Sequence, residues 1–192
     1  MRRDFILVCG NQGAGKTVWT KLYSATRTRL LVFDPKAEYQ NVDFQTPPDE
    51  WIADVVERRR SAFRFGTYLA DEIEMFWHAA FAATDCTLIN EECSLLFNRG
   101  EDIPEWARPM VFMGREPQLN LVLVTQRANS IPIAIRSQAS RIVTFLQTEP
   151  DDVRALAARI GREHGDAIAA LPELECLDWQ AGQGVRRYAV RP

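Results

Sequence analysis

Long hydrophobic runs are missing from this sequence. No stretch of its 192 residues approaches the roughly 18–20 apolar positions that a membrane-crossing helix needs. The opening residues, Met1-Arg2-Arg3-Asp4, pass into a strand-like segment with no cleavable signal in view, so the chain is expected in a cytoplasm-like compartment. An excess of positive charge is missing too. Lys and Arg number 23 against 26 Asp and Glu, a net charge of −3, which argues against wrapping nucleic acid by bulk attraction. Contact with DNA then requires a local basic patch, or one formed by assembly. The four cysteines (Cys9, Cys86, Cys93, Cys176) form no Cys-x-x-Cys pair, and His78 and His164 sit near none of them. That spacing argues against a zinc site and predicts buried free thiols. Internal repeats and low-complexity linkers are absent as well, so one domain is expected over residues 1–192.

What is present is a 46% apolar, 26% charged composition, enough for a substantial core. Apolar runs predict strands at residues 5–9, 30–33, 62–65, 86–89, 119–125 and 141–147, with two end strands near 175–180 and 185–190. Helical spacing predicts helices at 16–26, 51–60, 71–83, 151–160 and 163–171. Strands that are apolar throughout and alternate with helices imply a mainly parallel sheet covered on both faces. The expected fold is a three-layer α/β domain with a short C-terminal β extension. The tryptophans Trp19, Trp51, Trp77 and Trp106 fall at helical positions and read as packing groups rather than base-stacking ones.

The most informative stretch is Gly10-Asn11-Gln12-Gly13-Ala14-Gly15-Lys16-Thr17, which satisfies G-x-x-x-x-G-K-[ST], the Walker A pattern, at every fixed position. A strand is predicted before it and a helix after it, the context that a phosphate-binding P-loop requires. The glycines let successive backbone N–H groups converge on phosphate oxygens, and the helix start adds partial positive charge. Lys16 is placed to reach the β- and γ-phosphates, and the Thr17 hydroxyl to bind Mg²⁺. Residues Gly10 to Val18 are therefore the expected ATP-binding segment.

A hydrolase of this type also needs an acidic group behind the Mg²⁺ water shell and a carboxylate that activates the attacking water. The stretch Asp85-Cys86-Thr87-Leu88-Ile89-Asn90-Glu91-Glu92 supplies candidates. If the strand ends at Ile89, Asn90 takes the Mg²⁺ side through water and Glu91 is the base. Glu92 is the base only if the register slips by one, and Glu91 is preferred because that slip would draw Asn90 into the apolar strand. Gln126, at the carboxyl end of the strand at 119–125, is the expected sensor of the γ-phosphate, since ligands in such sheets bind at carboxyl ends of strands.

Several of these segments together resemble a known family. Leu-Leu-Val-Phe-Asp-Pro-Lys-Ala-Glu-Tyr (30–39), Leu-Ile-Asn-Glu-Glu-Cys (88–93), the block from Gly114 to Arg127 and Ser140 to Asp152 are similar, in order and spacing, to the FtsK/HerA superfamily of DNA-pumping ATPases. The small size resembles the genome-packaging ATPases of tectivirus-like viruses, which have a double-jelly-roll capsid and an internal membrane. The resemblance implies a RecA/ASCE-like P-loop fold and a homo-oligomeric ring, a hexamer, with double-stranded or single-stranded DNA through its centre. It further implies a trans arginine completing each site, with Arg115 and Arg141 as candidates and Arg136 third, and a capsid vertex or portal protein as partner. The protein would then work in the host cytoplasm or at the packaging vertex of the virion. Asp34 and Glu38 would shape the same cleft or touch the neighbour. DNA contacts are expected from the loop at 98–101 or the basic run at 57–64. The alternatives are a small-molecule phosphotransferase using the same loop, and a filamentous-phage-type export ATPase.

Overall fold

The apolar runs become strands, and the strand order decides which loops meet. The computed structural model describes residues 4–57, 59–97, 100–113 and 118–191. Eight strands among them form one sheet: β1 (Phe5–Cys9), β2 (Arg29–Phe33), β3 (Phe63–Thr67), β4 (Thr87–Asn90), β5 (Asn120–Thr125), β6 (Arg141–Thr144), β7 (Glu175–Gln180) and β8 (Gly184–Ala189). Their order is β3-β2-β4-β5-β1-β6-β7-β8. The first six run parallel, and the β7–β8 hairpin adds antiparallel strands to the edge beside β6. The helices are α1 (Lys16–Ala25), α2 (Pro48–Val56), α3 (Ile73–Ala83), α4 (Arg108–Met113), α5 (Ile133–Arg136), α6 (Pro150–Ile160) and α7 (Gly165–Ala169). No helix among the described residues is long and apolar enough to cross a membrane.

The period-2 alternation of strand side chains sorts the core into two faces. Phe5, Leu7 and Cys9 of β1, with Leu31, Phe33, Leu121 and Leu123, face one cluster. Ile6 and Val8, with Leu30, Val32, Val122 and Val124, face the other. Helices α2 to α7 bury their apolar positions against the first face, through Trp51, Phe76, Trp77, Val111, Ile135, Leu156 and Ile168. The second face is covered more thinly, by α1 through Trp19 and by Tyr39, Tyr188 and Val190. Trp51 stacks on Phe65 at 4.7 Å, and Trp77 sets its edge against Phe97 and Trp106, so these rings are packing groups as expected. The four cysteines are buried and free. Burial pushes the Cys86 thiol up to about 12, which keeps it protonated.

Several boundaries differ from the sequence expectation, among them the early end of β6 at Thr144 instead of residue 147, and three others stand out. Helix α2 stops at Val56 instead of reaching Arg60, because the N–H groups of Arg59 and Arg60 both turn back to the Asp54 carbonyl. The helix at 163–171 breaks into a 3₁₀ turn, Arg162–His164, followed by α7. Strand β4 does not end at Ile89. It runs from Thr87 to Asn90, so Asn90 lies inside it and pairs in register with Phe33 and Leu123.

Candidate functional site

The carboxyl ends of the central strands meet at one edge. Cys9 of β1 pairs with Thr125 of β5 and Thr144 of β6, so the loop after β1 is flanked by the exits of both strands. Along that loop Gly13 and Gly15 have φ of +75° and +118°, a region that disfavours any side chain. A Cβ on Gly10 would lie 2.7 Å from the Phe145 Cβ, so buried Phe145 requires the bare backbone there. The Asn11 N–H donates to the Leu146 carbonyl at 2.8 Å, and its side-chain amide donates to the Thr148 hydroxyl at 2.9 Å. Gly15 caps α1 with no side-chain hydrogen bond, so the first N–H groups of the helix are not taken by a capping side chain.

Lys16 arches over this loop. Its Nζ donates to the carbonyls of Gly10 at 2.7 Å and Asn11 at 2.9 Å. Burial lowers the Lys16 pKa, while the carboxylates of Glu92 and Glu91 raise it, which puts both acids in its electrostatic reach. Thr17 follows on the first turn of α1, and its carbonyl accepts from the Thr20 hydroxyl. Val18 packs against the thin-face core. A recess of about 310 Å³ lined by Gln12, Gly13, Ala14, Leu146 and Glu173 opens beside the loop. Two larger grooves lie along the outer side of α1 and between α5 and α6.

The exit of β4 distributes its three polar residues to three places. Asn90 is fully buried on the α3 side of the sheet, where its Oδ1 accepts from Trp77 Nε1 at 3.1 Å and its Nδ2 donates to the Glu91 carbonyl. Glu91 turns to the opposite side, toward α1. Its Oε1 accepts from the Tyr39 hydroxyl at 2.5 Å and the Thr20 hydroxyl at 2.9 Å. Burial raises the Glu91 pKa, and the hydrogen bonds from Tyr39 and Thr20 oppose that rise. Glu92 adopts the left-handed region, φ 52°, and points along the edge of the sheet. Its Oε2 accepts from Gln126 Nε2 at 2.9 Å, and its Oε1 accepts from Ser94. The Gln126 carbonyl is held in turn by the buried Gln147 amide at 3.1 Å.

The structure thus brings together the loop, Lys16, Thr17, Glu91, Glu92 and Gln126. It does not bring Asn90 into that group, because strand parity turns its side chain to the other face. Arg141 also lies elsewhere. It sits at the amino end of β6, paired with Ile6, and its guanidinium makes a bidentate pair with Asp178 at 2.8 and 2.6 Å while resting over Trp19. Arg136 donates to the Ile131 carbonyl. Arg115, like Asn98 and Arg99, lies outside the described residues. In the basic run, Arg59 and Arg60 pair with Asp54 and Glu57, and Arg64 donates to the carbonyls of Ser24, Arg27 and Asn41. Three contributors went unassigned in the sequence reading. Thr20, one helical turn beyond Lys16, was accessible through i, i+4 spacing. Tyr39 closes the segment at 30–39 that carries the family resemblance but was given no role there, and Ser94 carried no local signal.

No family model matches the chain, and no curated protein matches it by sequence. Solved structures do match. The genome packaging NTPase B204 from Sulfolobus turreted icosahedral virus 2, in complex with AMPPCP, superposes with a TM-score of 0.81 at 20% identity, covering 98% of each chain. B204, the DNA-packaging ATPase from Sulfolobus turreted icosahedral virus, gives 0.76 at 17% identity over the whole of both chains. The pCW3 conjugation coupling protein TcpA, with ATPγS, gives 0.65 at 13% identity, covering 98% of this chain and 60% of that one. The fold of this chain is therefore that of the P-loop NTPases, with a mainly parallel sheet and an added C-terminal β-hairpin.

Proposed function

We propose that this chain is an ATP-hydrolysing DNA translocase that works as a ring, most specifically a viral genome-packaging motor. One observation carries the reading. The chain matches a viral packaging NTPase over 98% of each chain, with a TM-score of 0.81. The site's chemistry supports it. The backbone N–H groups of residues 10–17 and the start of α1 suit a triphosphate, and the φ values of Gly13 and Gly15 give the loop the curvature that requires. The Thr17 hydroxyl on the first turn of α1 and the Glu91 carboxylate facing α1 are a sparse oxygen donor set, which fits Mg²⁺, an ion that takes one or two protein oxygens and completes its shell with phosphates and water.

In this reading Lys16 binds the β- and γ-phosphates, Thr17 ligates the metal, and bound Mg²⁺ supplies charge neutralisation at the transferred phosphoryl group. Two assignments move in this reading, on the support of the hydrogen bonds at the exit of β4. Glu91, facing α1 and hydrogen-bonded to Thr20, takes the metal-side place first given to Asn90. Glu92, joined to Gln126 at the strand edge, accepts the proton of the attacking water in place of Glu91. Gln126 then couples the position of that base to the γ-phosphate. Asn90 becomes a packing link to Trp77, and Arg141 a brace for the C-terminal hairpin. The trans arginine is left to Arg115 or Arg136. A phosphotransferase excludes water and has no use for a base tied to a polar sensor one strand away, so this pairing favours hydrolysis.

The test is ATP turnover with and without linear double-stranded DNA across a salt series. Stimulation that falls as salt rises is expected, because phosphate contacts release counterions. Turnover indifferent to DNA at every salt concentration would leave an ATPase without the translocase role.

A further inference from the structure

The loop after β2 reaches across the thin face and ends on the metal-side carboxylate. Asp34, buried at the exit of β2, organises it. Its Oδ1 accepts from the Lys36 N–H at 3.0 Å and its Oδ2 from the Glu38 N–H at 2.6 Å. Its own N–H donates to the Thr67 carbonyl at 2.9 Å, tying the loop to the neighbouring strand β3. Ala37, at φ 51°, closes the turn with an N–H bond to the Asp34 carbonyl. So constrained, the next residues deliver Tyr39 inward, where its ring is 4% exposed and packs in the thin-face core.

The Tyr39 hydroxyl lies 2.5 Å from Glu91 Oε1 and 2.7 Å from the Thr20 hydroxyl, and Thr20 lies 2.9 Å from the same Oε1. Two hydroxyls therefore gather on one carboxylate oxygen, with Tyr39 making the shortest contact to it, while Oε2 has no hydrogen bond among the described residues. We propose that Tyr39 is a positioning residue for Glu91: delivered by the Asp34-capped loop, its hydroxyl fixes Oε1 so that Oε2 is presented to the metal's water shell. The inference rests on the reading of Glu91 as the metal-side carboxylate. A carboxylate held by two donors in a buried site pays its orientational cost in advance, and partners of this outer kind govern how well a site takes its metal.

The test compares ATP binding in excess Mg²⁺ with binding in EDTA, by calorimetry. Tyr39→Phe keeps the ring and removes the donor. It is expected to leave EDTA-state binding unchanged and to reduce the gain from Mg²⁺ by about 10-fold. Asp34→Asn, which replaces one of the two accepting oxygens with an amide nitrogen, is expected to move the same gain in the same direction from a distance. It also keeps the idea testable if Tyr39→Phe folds poorly. Thr20→Ser, retaining a hydroxyl, should preserve the gain. A Tyr39→Phe protein with the full gain, alongside a Glu91→Gln protein that has lost it, would overturn the positioning role and leave the metal-side reading standing. Equal weakening with and without Mg²⁺ would make Tyr39 a packing residue and overturn it as well. A Glu91→Gln protein with the full gain would sink the underlying reading instead.

Discussion

The two faces of the sheet are built on different terms. The face under α2 to α7 is a broad apolar layer in which Trp51, Phe76, Trp77 and Phe97 are fully or almost fully buried. The face under α1 is thinner, and polar networks run through it: Glu91 with Tyr39 and Thr20, and Asp178 with Arg141 and Tyr188. Burial of the first kind stabilises in proportion to area and tolerates no charge. The second kind adds little net stability, yet holds groups in fixed orientations, which a phosphate site needs. The contrast teaches that position on a face, more than residue type, decides the role of each polar group at the exit of β4. Asn90 bonds to Trp77 in the thick-face core and Glu91 to Thr20 beside α1, although they are neighbours in sequence.

The comparison breaks most visibly if a charge is placed on the thick face. Asn90→Asp would set a carboxylate against the Glu91 carbonyl in a fully buried position, and is expected to cost about 3 kcal/mol at neutral pH. The sign follows from burial. The folded-state pKa of this Asp would be raised, so the deficit should be largest at neutral pH, shrink as pH falls toward about 4, and vanish below that, where the unfolded chain also holds the proton. Urea melts of the variant and parent at several pH values measure this. A variant as stable as the parent that needs less Mg²⁺ would return Asn90 to the metal side.

Arg141→Ala probes the thin face away from the chemistry. It leaves Asp178, 8% exposed, without its bidentate partner, and should cost about 2–3 kcal/mol in denaturant melts. Turnover per folded molecule should hardly change. Intact stability with lost turnover would make Arg141 the trans arginine after all. The smallest effect separates two tryptophans of the thick face. Trp77 Nε1 donates to Asn90, whereas Trp51 Nε1 finds no partner among the described residues. Trp77→Phe should therefore cost about 1–2 kcal/mol more than Trp51→Phe, because it leaves a buried acceptor unpaired. Equal losses would mean that the Asn90 link contributes nothing.

The P-loop was legible in the sequence because its signal is local: glycines at fixed spacing between an apolar run and a helix. The parallel strands were legible for the same reason, and the terminal strand Glu175–Gln180 falls where its alternation put it. The division of labour at β4 was not. Side chains alternate along the strand, so Asn90 and Glu91 fall on opposite faces, and composition does not decide which of them turns toward α1. Nor could local pattern reveal Arg141's commitment to Asp178, 37 positions away, or Tyr39's contact with Glu91 across 52. The basic run at 57–64 offered a candidate DNA contact but read more readily as a solvated helix end, and Asp54, on the preceding helix, pairs with Arg59 and Arg60 within it.

The central claim is that Glu91 serves the metal and Glu92 the water. The pair of amide variants tests it most directly, with MgATP binding and steady-state turnover measured on the same samples. Glu92→Gln should bind MgATP like the parent while turnover falls by about 10²–10⁴, the usual contribution of a general base. Glu91→Gln should lose Mg²⁺-dependent binding as well as turnover. Parental turnover in Glu92→Gln, with a Glu91→Gln protein that binds MgATP normally and does not hydrolyse it, would contradict the account and restore Glu91 as the base.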